Sequence, residues 1–95
     1  MGCLIINWQH QPEASRSRVG IITAGKIGGA VIRNRARRLL RECFRLHQHD
    51  LNRKVDMVLV ARPSIVGKRF SDVEQDFLIT LRRAKLLTPA SEITP

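Results

Sequence analysis

The chain has 95 residues, with seventeen Lys and Arg against eight Asp and Glu, a net charge of +9 and a pI near 11.3. That length holds one small domain, able to bury about 60–65% of its unfolded surface, and excludes a multidomain enzyme. With 43% hydrophobic residues the chain is too apolar for a disordered basic tail, and its charge points to a polyanion as partner.

Residues 3–9 (CLIINWQ) read as a strand, with Leu4, Ile6 and Trp8 on one face by the period of two. The N-terminus lacks a basic n-region, its apolar run is too short for a signal peptide, and Ile6 stands where a myristoylation motif wants Ser or Thr. No segment reaches the roughly 20 apolar residues of a membrane span, so a cytoplasmic protein without a membrane partner is expected. A polar turn with Pro12, Glu13 and Ser15 leads to a second strand, 18–24 (RVGIITA), and the first two strands are expected to form a hairpin. The glycines of 25–29 break the chain before a long helical pattern from Ala30 to His47. After a polar loop, 55–61 (VDMVLVA) is apolar on both faces and reads as a central strand. A loop over Arg62 to Arg69 follows, then a capping box of Ser71 and Glu74 opens a last helix to about Leu87, with Val73, Phe77, Leu78 and Leu81 inward. One domain over 1–88 is expected, with a frayed tail at 89–95 between Pro89 and Pro95.

The charge is local. Residues 16–45 carry nine Lys and Arg against Glu42 alone, so eight of the nine net charges fall there. At 100° per residue, Ile32, Ala36, Leu39, Leu40, Cys43 and Leu46 form an arc of about 120°, the expected core stripe. Arg33, Arg37, Arg41 and Arg45 succeed one another at i, i+4 on the other side, with Arg38 beside them and Asn34 within the same arc. Neighbouring like charges repel, and a bound polyanion offsets that repulsion. Arginine suits the task because its planar fork binds phosphate bidentately and stacks on bases. Arg35 points roughly 200° away from Arg33; either it snorkels beside the core stripe, or the RNR segment addresses two surfaces.

No catalytic constellation is legible. In AGKIGG, Lys26 precedes Ile27 rather than Ser or Thr, unlike a phosphate-binding P-loop; Gly28 and Gly29 set up the helix start, whose free N–H groups favour a phosphate. His10, His47 and His49 lack companions for a metal-ligand set, and the acidic residues form no spaced pair of a two-metal nuclease. Cys3 and Cys43 match no metal spacing and read as small buried hydrophobes of a reducing compartment. No catalytic residue, metal ligand or cofactor is therefore expected on this chain.

Residues 18–45, RVGIITAGKIGGAVIRNRARRLLRECFR, resemble the signature of the protein subunit of bacterial ribonuclease P, at Lys26, Gly28, Ala30, Val31, Arg33, Asn34, Arg35, Arg37, Arg38, Arg41 and Glu42. The following DMVLVARPS and the capped last helix also fit that family, so the resemblance covers about residues 4–87. It implies an α+β two-layer sandwich, a split β-α-β fold with a left-handed crossover between parallel strands, here 18–24 and 55–61, like the second domain of a small-subunit ribosomal protein. It further implies a non-catalytic subunit of an endoribonuclease, in which an RNA subunit, using Mg²⁺, removes the 5′ leader of precursor tRNA while the protein binds that RNA and the leader. Carried onto this sequence, Lys26, Arg33, Asn34, Arg35, Arg37, Arg38, Arg41 and Arg45 are the RNA-binding residues, and Trp8 and Arg18 are candidate leader contacts.

Three departures stand out. The family's N-terminal helix, which supplies aromatics to the leader cleft, is expected to be absent here, a mis-assigned start being one mundane cause. Gly25 stands where a basic residue is common, and Gly29 where Asn is common. The rival reading is a structural RNA-binding module of ribosomal-protein type. A DNA-binding regulator would want a turn and a second short helix before the basic one, where this chain offers a strand and glycines, so DNA is not an expected partner.

Overall fold

The structure, a computed structural model, describes residues 2–87; Thr88 and the expected tail at 89–95 lie outside the described residues. Three strands, β1 (Leu4–His10), β2 (Arg18–Thr23) and β3 (Val55–Ala61), form one sheet in the order β1-β3-β2. Two helices, α1 (Ala30–His47) and α2 (Phe70–Arg83), complete an α+β fold. β3 runs parallel to β2, with Val19 opposite Met57 and Ile21 opposite Leu59, as the family resemblance implies. It runs antiparallel to β1, with Leu4 opposite Ala61 and Trp8 opposite Met57.

The hairpin expected between the first two strands does not form, because β3 lies between them. Residues 11–17 are longer than the two-residue loops that enforce a hairpin. The Val-rich β3 gains most from a neighbour on each edge. Its alternation sorts the faces. Val55, Met57, Leu59 and Ala61 are buried under the helices, while Asp56, Val58 and Val60 face the other way. That second face is uncovered, with Ile5, Ile22 and Val58 exposed. A strand apolar on both faces is thus central in order, yet covered on one side only.

α1 packs on β2 and α2 on β1, and the two helices meet over β3. Leu40, Cys43, Met57, Leu59, Val73, Phe77 and Leu81 fill the space between sheet and helices. The buried side of α1 is Ala36, Leu40, Cys43 and Phe44, an arc rolled by roughly 50° from the expected stripe. Ile32 and Leu46, both assigned to the core, are 40% and 43% exposed. Rolling the helix brings the Phe44 ring inward and sets Arg33 and Arg37 half-buried at the edge of the core, where their aliphatic stems pack. Counting arginine as wholly solvent-seeking misplaced the stripe.

The start of α2 also differs. Asp72, not Glu74, closes the first turn, accepting a bond from the Arg69 N–H at 3.1 Å, and the helix begins at Phe70. Glu74 is engaged elsewhere, as described below. The helix ends at Arg83 rather than Leu87. Lys85 adopts a positive φ of 59°, and the Leu86 N–H returns to the Leu81 carbonyl at 3.0 Å. This reversal buries Leu86 and Leu87, which a continued helix would not. Leu87 bridges to Leu51, and Asn52 donates to the Lys85 and Leu87 carbonyls at 2.9 and 3.0 Å, closing the fold.

Candidate nucleic-acid interface

The approach to α1 is shaped by its glycines. Gly25–Ile27 make a single 3-10 turn that buries Ile27 and leaves Lys26 exposed. Gly28 has φ +148°, a region L side chains rarely adopt, and a Cβ there would meet Ile32 Cδ1 at 2.9 Å. Gly29 caps α1 through its backbone, with no side-chain cap and no acidic residue in the first turn, so the first amides of the helix stay open.

Arg33 and Arg37 are half-buried and tied to the fold. Arg33 Nη1 donates to the Gly28 carbonyl at 2.7 Å. Arg37 donates to Asn34 Oδ1 and to Thr23 Oγ1, both at 2.9 Å, linking α1 to the end of β2. Arg38, Arg41 and Arg45 stand on the solvent side with Asn34. Arg45 grips Glu42 with two bonds of 2.8 and 2.6 Å, which hold the Glu42 carboxyl below the usual carboxylate range. Arg38 and Arg41 make no side-chain hydrogen bond or ion pair among the described residues, and their charge is free for a ligand. Arg35 leaves this face altogether, donating to the Lys68 carbonyl at 2.8 Å. Arg33 and Arg35 thus have different neighbours: Arg33 the glycine turn, and Arg35 the loop after β3, beside Ile32 and Ala36.

The two candidate leader contacts are separated by the sheet. Arg18 lies opposite Asp56 on the uncovered face and forms a bidentate pair with it, at 2.9 and 2.8 Å. Those bonds hold the Asp56 carboxyl low and the Arg18 guanidinium high. Trp8 faces the helix side, opposite Met57, and is 38% exposed. Its ring takes the Arg53 guanidinium at 5.9 Å, a cation–π contact the sequence did not suggest.

His47, the last residue of α1, joins the two helices. Its Nε2 lies 2.7 Å from Glu74 Oε2 and its Nδ1 3.2 Å from Asp50 Oδ2, with the ring 6.3 Å from that of Phe77. Among the described residues, no group of three or more His, Cys, Asp and Glu is placed to hold a metal ion. Cys3 and Cys43 are free and fully buried, and burial is the main cause pushing both thiols up to about 12, aided by the Asp76 hydrogen bond at Cys3 and the Glu74 charge at Cys43. No described helix is long and apolar enough to cross a membrane.

A small α+β domain that presents an arginine-faced helix beside an uncovered sheet is the class these features define. The family model for ribonuclease P matches residues 2–85, and the chain belongs to that family. It is 39% identical over 85 residues to the ribonuclease P protein component of Syntrophomonas wolfei, covering 90% of this chain and 71% of that protein. It is 38% identical over 73 residues to that of Brevibacillus brevis, covering 77% of this chain but only 58% of the relative. Among solved structures it is similar to a Staphylococcus aureus RNase P protein mutant with defective mRNA degradation activity, at 25% identity and a TM-score of 0.80, covering 90% of this chain and 71% of that one. It is also similar to the Thermotoga maritima RNase P protein in complex with 1-(4-fluorophenyl)-2-thiourea, at 26% identity and a TM-score of 0.76, covering 85% and 78%.

Proposed function

We propose that this protein is the RNA-binding subunit of a ribonuclease P, assisting a catalytic RNA in removing the 5′ leader from precursor tRNA in the cytoplasm. The observation that carries this reading is the solvent face of α1, where Arg38 and Arg41 stand unpaired beside Asn34 and Arg45. Family membership supplies the partner that such a face suits. Guanidinium groups in this position neutralise RNA phosphates, and Arg33 and Arg37 brace the helix on which they are carried. Lys26 and the open first amides of α1 extend the positive surface at its start.

In this reading the hydrolytic chemistry and the Mg²⁺ it uses belong to the RNA subunit. The protein supplies affinity and orientation. The leader is placed on the uncovered sheet face, where Asn7 and Gly20 flank Val58, Arg18 lies one pair further on, and the exposed Ile5 and Ile22 offer an extended, partly apolar surface to a single strand. Trp8 lies on the other side of the sheet, where Arg53 stands over its ring.

Reconstitution tests the proposal. The protein is mixed with a bacterial ribonuclease P RNA at low Mg²⁺, and cleavage of a precursor tRNA is followed. Stimulation of correct 5′ cleavage is expected. No stimulation, with the RNA bound, would leave a structural RNA-binding module instead.

A further inference from the structure

Between the first turns of α1 and the loop after β3 lies a cleft of about 200 Å³. Val31, Ile32 and Ala36 form one wall and Ile65 and Val66 the other, with Arg35 beside them, its guanidinium fixed by the Lys68 carbonyl. Three of these apolar side chains are held in water: Val31 is 79% exposed, Val66 47% and Ile32 40%. Single exposed apolar residues are ordinary on a protein surface, but a set of them lining a concave site marks a binding surface. The core does not require them. Ala36 and Ile65 beneath are already buried.

The surroundings say what kind of ligand fits. Residues 14–41 and 57–71, which supply both walls, contain no Asp or Glu, and Arg35 is the charged side chain that lines the cleft, with Lys68 and Arg69 following Gly67 in the loop wall. The next acidic residue after the loop, Asp72, is occupied in capping α2. An apolar slot whose walls carry an arginine and no carboxylate suits a ligand with an anionic backbone and a flat, weakly polar face. An unpaired nucleobase of an RNA strand has that chemistry. The cleft is too small for a drug-sized molecule, for which roughly 300–1,000 Å³ is usual, and matches a single heterocycle. The Arg35 guanidinium, planar and held at its rear by a carbonyl, is set to stack on a base or to donate to its edge.

We propose that this cleft takes one extruded base of the RNA subunit. The inference rests on the RNA-binding function proposed above and adds a contact that does not depend on phosphate.

The test is a binding titration with a bacterial ribonuclease P RNA at several salt concentrations, using the wild type and the double variant Val31→Ser/Val66→Ser. Both side chains are exposed and the substitutions leave the net charge unchanged, so a matching thermal melt confirms an intact fold. Affinity is expected to fall on the order of tenfold while the slope of log K against log salt stays the same. Dimethyl sulfate and hydroxyl-radical probing of the complexes add a second readout: a base protected from dimethyl sulfate by the wild type should become reactive in the variant, with the hydroxyl-radical protection of the backbone kept. Equal affinity and identical footprints would refute the base pocket, and so would a flattened slope, which signals a phosphate contact. A wild type that fails to bind this RNA at all overturns the underlying RNA-binding function, and the pocket with it.

Discussion

Arg33 and Gly28 hold one another: the guanidinium donates to the Gly28 carbonyl at 2.7 Å, and Gly28 sits at φ +148°, where a side chain is disfavoured. The contact fixes the angle at which α1 leaves the glycine turn. Replacing Gly28 by Ala forces a strained backbone and pushes its Cβ against Ile32, whose exposed tip can move aside more easily than the backbone can. Gly28→Ala should therefore lose about 1–3 kcal/mol of stability. Chemical denaturation measures this, and an unchanged midpoint would contradict the assignment of strain.

Glu74 and His47 tie the two helices, and their contact was hidden behind a sequence pattern that suited a cap. Glu74→Ala should lower stability by about 1 kcal/mol, moving the melting temperature down by about 4–8 °C for a domain of this size. Ser71→Ala should cost much less, because Asp72 provides the closure. Equal losses in the two variants would restore the Ser71–Glu74 box.

Both thiols are protected by burial. Because their folded values lie near 12 and the ordinary value is 9, their contribution to stability is present below about pH 9 and is lost as pH rises toward 12. Native protein at mildly alkaline pH should resist a thiol reagent, while denatured protein should be labelled at both Cys3 and Cys43. Fast labelling of the native state at either site would contradict the packing described here.

The Arg18–Asp56 pair responds at the acid end. The bonds from Arg18 lower the Asp56 value, so the pair stabilises the fold above the ordinary carboxylate range and stops doing so as pH falls through the depressed value. Arg18 is exposed and Asp56 only partly buried, so solvent screens the pair and the effect is small. Asp56→Asn should be slightly less stable than the wild type at neutral pH and equal to it in strong acid. A difference that persists in acid would point to another role for Asp56.

Much of the architecture was legible from local patterns. The Val-rich run at 55–61 announced a central strand, the bounds of α1 followed from Gly29 and the helical period, and Val73, Phe77 and Leu81 of α2 pointed inward as the spacing required. The rest depended on distant partners. Nothing in residues 1–24 shows that β3 will enter between β1 and β2. The roll of α1 is decided by Phe44 and the arginine stems meeting the sheet and α2. The recruitment of Glu74 by His47 spans 27 residues, and the return of Leu86 onto Leu81 depends on a left-handed Lys85. At the candidate interface, the arginine types and their helix were readable, but their division was not. Only the roll reveals that Arg33 and Arg37 serve the fold while Arg38 and Arg41 stand free, and that Arg35 borders an apolar cleft.

That division is tested most directly by the salt dependence of binding to a bacterial ribonuclease P RNA. Arg38→Ala and Arg41→Ala should each weaken binding and flatten the slope of log K against log salt by about 0.7–0.9, the loss of one neutralised phosphate apiece. Their thermal stability should stay at the wild-type level. Wild-type slopes in both variants would contradict the claim that the solvent face of α1 binds the RNA backbone.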